Sequence, residues 1–336
     1  MSNFTPSNFL KAQALLLDKY KAPEMRMRIH PVTSLGLKNQ SSVIPDYQMH
    51  RTREDRSVSG YLAIRNRRSV ITSRTHNHTG NRGDSAEQAF TWSTFGDKFS
   101  ISKKQLDNNI LSFDSMLANQ LEQAMKNIIE GIETSTTTAL LAAKTQVNVA
   151  TNLGTYNGAT DTFEITGASQ FYQYLKSMMN QNSYRGELDI IANNFAYSNA
   201  EFQRSQGAGN ATNTNFQFLG MNIAESNELT DVNYTADLCL AMPQGSFALL
   251  PWIPKQNRQG DGDYNSVLGG YGSMTDPFGL GIDFAVHAYT ERADTSASNG
   301  NTQDDLINFE LSVDIANAIS PLSVATETPI FQVARV

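Results

Sequence analysis

Apolar residues at Leu106, Ile110, Phe113, Leu117, Leu121, Ala124, Ile128 and Ile132 recur every three or four positions, a helical period held for more than seven turns. Ser102 followed by Gln105 predicts a capping box at its start. Continued to Lys144, a helix over 103–144 would span roughly 63 Å at about 1.5 Å per residue. Gly131 and the threonine-rich run 134–138 are poor helix formers, so a kink or an early end is expected there. A helix of this length lies across a domain rather than inside it.

The pattern before it is different. Phe9, Leu10, Ala12, Leu15, Leu16 and Leu17 predict a short helix ending before Pro23, followed by an extended stretch to about Leu37. Two readings of that helix stand side by side: an arm that docks on another surface, or the first helix of the globular body. From about Ile44 to Ile101 the chain is polar and rich in arginine, with strand-like alternation over 61–65 and 90–95. Between them residues 75–84 are a cluster of turn formers. Together these predict a long two-stranded ribbon, which is marginally stable alone and needs a surface to lie on.

Beyond Thr145 short helices and strands alternate in an α+β manner. A helix is predicted over 171–179, a buried strand over 188–192 and a short helix over 199–206 closed by Gly207. Strands are predicted over 221–224, 238–241 and 246–251, the last entered through the turn Pro243-Gln244-Gly245. A polar, glycine-rich loop is expected over 255–273, then strands over 281–289 and 307–315. No internal repeat and no Pro/Ser-rich linker divides the chain.

Composition changes this picture in two ways. The 336 residues are 40% hydrophobic, enough for one large core or two modest ones, which excludes a disordered chain. The formal net charge of −7 hides an asymmetry: fourteen Lys and Arg against five Asp and Glu give the first 82 residues +9, and the remainder carries −16. A basic segment of this kind points to nucleic acid or to an acidic protein surface. A single cysteine, Cys239, excludes an internal disulfide or a cysteine-based zinc site, and no run approaches the roughly 18 apolar residues of a membrane span. The N-terminal residues lack a basic leader, so a cytosol-like compartment is expected.

Candidate chemistry is sparse. His76 and His78 would share one side of a strand, yet no third ligand has a recognisable spacing, and they read as solvated loop residues. Arg82-Gly83-Asp84 spells an adhesion tripeptide inside a turn cluster. The segment 261–263 with 269–272 lacks both the oxygen ligands of a calcium loop and the Gly-Lys-Ser/Thr of a phosphate loop. Cys239 lies among apolar residues that disfavour a thiolate, and His287 reads as a core or edge-strand residue. No catalytic constellation emerges, and no enzyme activity, cofactor or metal is expected.

Specific passages complete the reading: Tyr184-Arg185-Gly186-Glu187-Leu188-Asp189-Ile190-Ile191-Ala192-Asn193, Phe202-Gln203-Arg204-Ser205, Leu219-Gly220-Met221-Asn222-Ile223-Ala224-Glu225-Ser226-Asn227 and Met242-Pro243-Gln244-Gly245-Ser246-Phe247-Ala248. With the order of elements, they resemble the major capsid protein of tailed bacteriophages, the Hong Kong 97-like fold. That resemblance implies an α+β chain with an N-terminal arm over 1–45, an E-loop β-ribbon over 46–102 and a spine helix opening the peripheral domain over 103–145. An axial domain over 146–265 would follow, then 266–336 as the end of the axial loop and the return to the peripheral domain. It also implies a virion shell protein, assembled in the host cytoplasm, whose first partner is itself, as hexamers and pentamers. Portal, separate scaffolding or decoration proteins and non-specifically held double-stranded DNA would be further partners, with no membrane. Under this reading Arg65, Arg67, Arg68, Phe90, Trp92 and Phe95 contact a neighbouring subunit, the aromatic residues because the ribbon lacks a core of its own. Some relatives form a Lys–Asn crosslink assisted by Glu; Lys98, Asn308 and Glu310 are not identified as that set by their spacing. Other readings are an encapsulin-type shell, a tail, decoration or adhesin module, and a hydrolase using the histidine pair.

Overall fold

The apolar stripe of the sequence becomes the organising helix of the structure. A computed structural model describes residues 6–21, 30–63, 74, 85–102, 112–144, 153–167, 170–206, 217–218, 220–263, 268–294, 303–322 and 327–336. In chain order the first elements are α1 (Pro6–Lys19), α2 (Pro31–Lys38), α3 (Gln40–Val43), α4 (Tyr47–Thr52), β1 (Ser59–Ala63), β2 (Ser85–Ala89), β3 (Trp92–Ser102) and α5 (Phe113–Ala142). There follow β4 (Thr155–Asn157), β5 (Thr162–Ile165), α6 (Phe171–Gln181), β6 (Leu188–Ala192), α7 (Asn194–Gln206), β7 (Gln217–Phe218), β8 (Met221–Glu225), β9 (Leu238–Pro243) and β10 (Phe247–Trp252). The chain closes with α8 (Lys255–Gln259), β11 (Gly270–Thr275), β12 (Asp283–Asp294), β13 (Gln303–Ile319) and β14 (Phe331–Arg335).

The spine helix α5 is shorter than expected at its start. Ser102 ends strand β3, and Gln105 of the expected capping box lies outside the described residues; Ser112 caps α5, accepting from the Ser115 N–H. Leu106 and Ile110 lie outside the described residues. At the other end the helix runs through Gly131 and the threonines without a break, for 30 residues or about 45 Å. Tertiary packing overrides propensity here. Thr136 and Thr137 are buried, Thr134 and Thr138 donate back to the carbonyls of Glu130 and Thr134, and the Phe95 ring sits 3.4 Å from where a Gly131 Cβ would project.

Strand β13 is the hub of the first sheet. It pairs antiparallel with β12 over residues 303–312, with β10 over 314–319 and with β3 over 306–316, while β11 borders β12. Its alternation is strict: Ile307, Phe309, Leu311, Val313 and Ile315 face Leu117, Leu121, Met125, Ile128, Ile129 and Ile132 of α5, and Asn308, Glu310 and Ser312 face the other way. Part of the expected polar loop 255–273 is therefore ordered, as α8 and the start of β11. The loop's polarity comes from the single buried face of an edge strand, whose burial alternates along its length.

The second sheet runs β4-β5-β14-β9-β6-β8-β7. Its centre is buried throughout: β6, Asp189 included, and β9 are buried at every residue, with α6 and α7 packed on the core they line. Gly245, at φ 74°, makes the turn from β9 into β10 and passes the chain from this sheet to the first. At the C-terminus the strands divide between the two sheets. Strands β11 to β13 build the first sheet, but β14 inserts between β5 and β9 of the second. Likewise β10 and α8, expected within an axial segment ending at 265, belong to the first sheet side.

Candidate assembly surfaces

The arm docks on its own chain. Ala12, Leu16 and Tyr20, spaced by four, are buried against α5. Glu122 of α5 fixes that contact, accepting from Lys19 Nζ at 2.7 Å, Lys126 Nζ at 2.7 Å and the Tyr20 hydroxyl at 2.6 Å. Burial works against its charge, yet these donors outweigh it and hold the Glu122 carboxyl down at about 2. Of the two readings of the first helix, the docking face is now assigned to the chain's own body. Leu10, Leu15 and Leu17 remain exposed.

Of the expected extended stretch to Leu37 the described part, 31–37, is helical instead, and helix α4 at Tyr47–Thr52 stands where the ribbon was expected to begin. Helix α2 begins at Pro31, where a proline costs no hydrogen bond, and its N-terminus is closed from α5. Glu133, 4% exposed, accepts from Val32 N–H at 3.1 Å, Thr33 N–H at 2.8 Å and the Thr33 hydroxyl at 2.7 Å. Burial pushes its carboxyl above the ordinary range, with the three hydrogen bonds opposing. The sequence signal for this segment was weak because its helices are four to eight residues long and none is capped by its own N-cap side chain.

The ribbon itself is β1 paired with β2, Ser59 opposite Ala89 and Ala63 opposite Ser85. Its second strand was expected over 90–95. Instead the chain crosses at Phe90 into β3 of the main sheet, which gives the three aromatic candidates partners within the chain. Phe90, 7% exposed, packs with Val43, Ile44, Leu62, Leu250 and Ala316. Trp92 lies against that cluster and donates from its indole N–H to the Ser57 carbonyl at 2.8 Å, and Phe95 packs on the α5 core. The premise that these residues lack a core of their own is overturned: α3, β1, β10, β13 and α5 of the same chain supply it. Arg65, Arg67 and Arg68, the His76/His78 pair and Arg82-Gly83-Asp84 lie outside the described residues.

The charge asymmetry is partly satisfied inside one chain. Lys19 pairs with Glu122, Arg51 with Asp283 at 3.2 Å and Arg56 with Asp314 at 3.6 Å, joining the basic segment to the acidic body. Arg51 and Asp283 also line a cavity of about 170 Å³ with Trp252 and Arg258, whose guanidinium donates to the carbonyls of Arg51 and Arg53. On the outward face of the first sheet Lys98 stands opposite Glu310, 3.4 Å away. Asn308, one outward position further, accepts from the Ser100 hydroxyl and donates to Glu291 at 3.0 Å.

Groups with chemical potential are embedded. Cys239 is fully buried and its thiol is pushed up by burial. His287 stacks between Tyr271 and Tyr289 at ring separations of 4.6 and 5.7 Å. Among the described residues no three His, Cys, Asp or Glu side chains converge as metal ligands, and no helix is long and apolar enough to cross a membrane.

No family model matches the chain, and no curated protein matches it. Solved structures do. The capsid structure of the cyanophage P-SCSP1u shares 12% identity at a TM-score of 0.45, over 85% of this chain and 85% of that one. The capsid asymmetric unit of cyanophage A-1(L) shares 11% at 0.44, over 89% and 93%. A structure from Mycobacterium phage Bobi shares 11% at 0.46, over 86% and 89%. Over more than four-fifths of its length the chain is similar to structures of phage origin, two of them capsids.

Proposed function

We propose that this chain is the major capsid protein of a tailed bacteriophage, assembling as hexamers and pentamers into the icosahedral shell around double-stranded DNA. The observation that carries the reading is the architecture: α5 laid along a sheet of 12- and 17-residue strands, a separate seven-stranded sheet, a helical arm docked on α5 and a two-stranded ribbon preceding β3. Read with the motif order of the sequence, the first sheet and α5 form the peripheral domain and the second sheet the axial domain. The ribbon is read as β1 and β2, paired antiparallel.

Arg65, Arg67 and Arg68 would meet the acidic body of a neighbour, where opposite charge steers assembly. Phe90 is buried in its own chain, so this reading rests the contact on the arginines. Scaffolding, portal and decoration proteins and packaged DNA are the partners such a shell takes.

Electron microscopy of the expressed chain, alone and coexpressed with its neighbouring genes, tests the reading: closed particles are expected. Stable monomers under every condition would overturn it. Assembly should weaken as salt rises, and reversing Arg65, Arg67 and Arg68 to Glu should impair particles more than folding. Salt-insensitive assembly of that variant would remove the ribbon arginines from the interface.

A further inference from the structure

Helix α1 has two apolar faces, and the fold uses one. The face bearing Ala12, Leu16 and Tyr20 is buried on α5. Roughly 130° round the helix, by about 100° per residue, Leu10, Ala14 and Leu17 form a second stripe. Leu10 is 62% exposed, Leu17 44%, and Ala14 between them is exposed as well. The spacing of four and three is that of d-a-d positions in a heptad, the narrow seam by which one helix packs along another.

What flanks the seam identifies its occupant. Lys11 and Asp18 both lie on one side of it, at equivalent heptad positions, are exposed, and have no ion pair among the described residues. In an antiparallel pair of identical helices, equivalent flanking positions face each other across the two-fold axis. Lys11 of one copy then meets Asp18 of the other, twice. The same axis sets Leu10 against Leu17, because the midpoints of the two residue pairs differ by a single position, about 1.5 Å. Ala14 falls at the crossing, where a small side chain lets the backbones approach. Hydrophobic pattern, charge and side-chain size therefore agree on one arrangement. In a parallel pair the same flank of the two copies lies on opposite sides of the seam, so Lys11 and Asp18 would not meet and this charge pairing would be lost.

We propose that α1 is a self-pairing surface: the Leu10–Ala14–Leu17 seam takes the same seam of a second copy, antiparallel, about a two-fold axis through Ala14. The patch is far smaller than the roughly 1,200 Å² of a stable pair. It is a weak contact whose strength comes from repetition among copies held by other interfaces, and in that respect it rests on the shell reading.

Cysteine crosslinking tests it. Ala14→Cys places two thiols at the crossing within disulfide reach, and the native Cys239 is buried and does not compete. In assembled particles under mild oxidation the variant is expected to run predominantly as a covalent dimer, whereas Leu15→Cys, exposed but about 100° round the helix, is expected to give at least tenfold less. Added to Ala14→Cys, Lys11→Asp or Asp18→Lys alone should lower the crosslink yield at least fivefold. The double exchange, which restores opposite charges across the axis, should return it to within twofold. Equal crosslinking at positions 14 and 15, no crosslinking at 14 in intact particles, or failure of the double exchange to rescue would each overturn the pairing. Absence of particles would instead count against the shell reading, and the crosslink is then read on the purified chain at high concentration, where a dimer at 14 and not at 15 upholds the pairing and its absence overturns it.

Discussion

Removing the Glu133 carboxylate should loosen the joint between the N-terminal segment and the spine helix. Val32 and Thr33 are fully buried at the N-terminus of α2, and His30, at the cap position, makes no side-chain cap. Glu133 alone satisfies two backbone N–H groups and a hydroxyl. A buried donor left without an acceptor costs about 1–3 kcal/mol, and loss of a helix cap about 1 kcal/mol. With water entering the space left by Glu133→Ala and recovering part of that, the loss should be about 3 kcal/mol. Glu133→Gln keeps the shape and one acceptor oxygen but turns an amide toward the donors, so about half that loss is expected. Urea unfolding of the unassembled chain reads the first number as a lower midpoint at unchanged slope. Hydrogen exchange should locate the effect in the amides of 32–35. A loss below about 1 kcal/mol for the alanine variant, or equal losses for alanine and glutamine, would refute the reasoning.

Glu122 sets a pH dependence. Its folded carboxyl stands at about 2 against an ordinary 4.5, so its stabilisation is present above about 4.5 and is lost as pH falls from there toward about 2. Glu122→Gln should flatten the acid limb of a thermal-unfolding profile and release α1 to proteolysis at neutral pH; an unchanged acid limb counts against the assignment. Glu133 has the opposite sign: its carboxyl is raised, so its contribution falls as pH rises above about 4.5, and Glu133→Gln should remove that fall in the same profile. Phe90→Ala, by emptying a pocket between the ribbon and β10, should cost about 3 kcal/mol in urea unfolding, whereas a near-neutral result would show that the ring is not packed in its own chain. Gly60→Ala would place a Cβ 2.6 Å from the Phe90 ring and should cost about 1–2 kcal/mol, most of it recovered when combined with Phe90→Leu.

Where periodicity was long and its burial one-sided, the sequence alone determined the outcome. The α5 stripe from Leu117 to Ile132, the all-buried runs of β6 and β9 and the Pro243-Gln244-Gly245 turn all stand where their patterns predict, because each is set by a local period or a backbone preference. The candidate surface was less legible. The arginine-rich ribbon was visible, but its second strand was placed one element too far along: 90–95 alternates as a strand whether its partner is β1 or β13, and alternation does not name a partner. Only the tertiary structure decided that β13 takes that strand and gives Phe90, Trp92 and Phe95 a core. It also decided that β14 leaves its neighbours in sequence for the middle of the other sheet, and that Glu122 and Glu133 close helices about a hundred residues away. The physical reason is the same in each case. Periodicity tells which face of an element must be buried, whereas the partner that buries it is chosen by hydrogen-bond and packing complementarity between segments far apart in the chain.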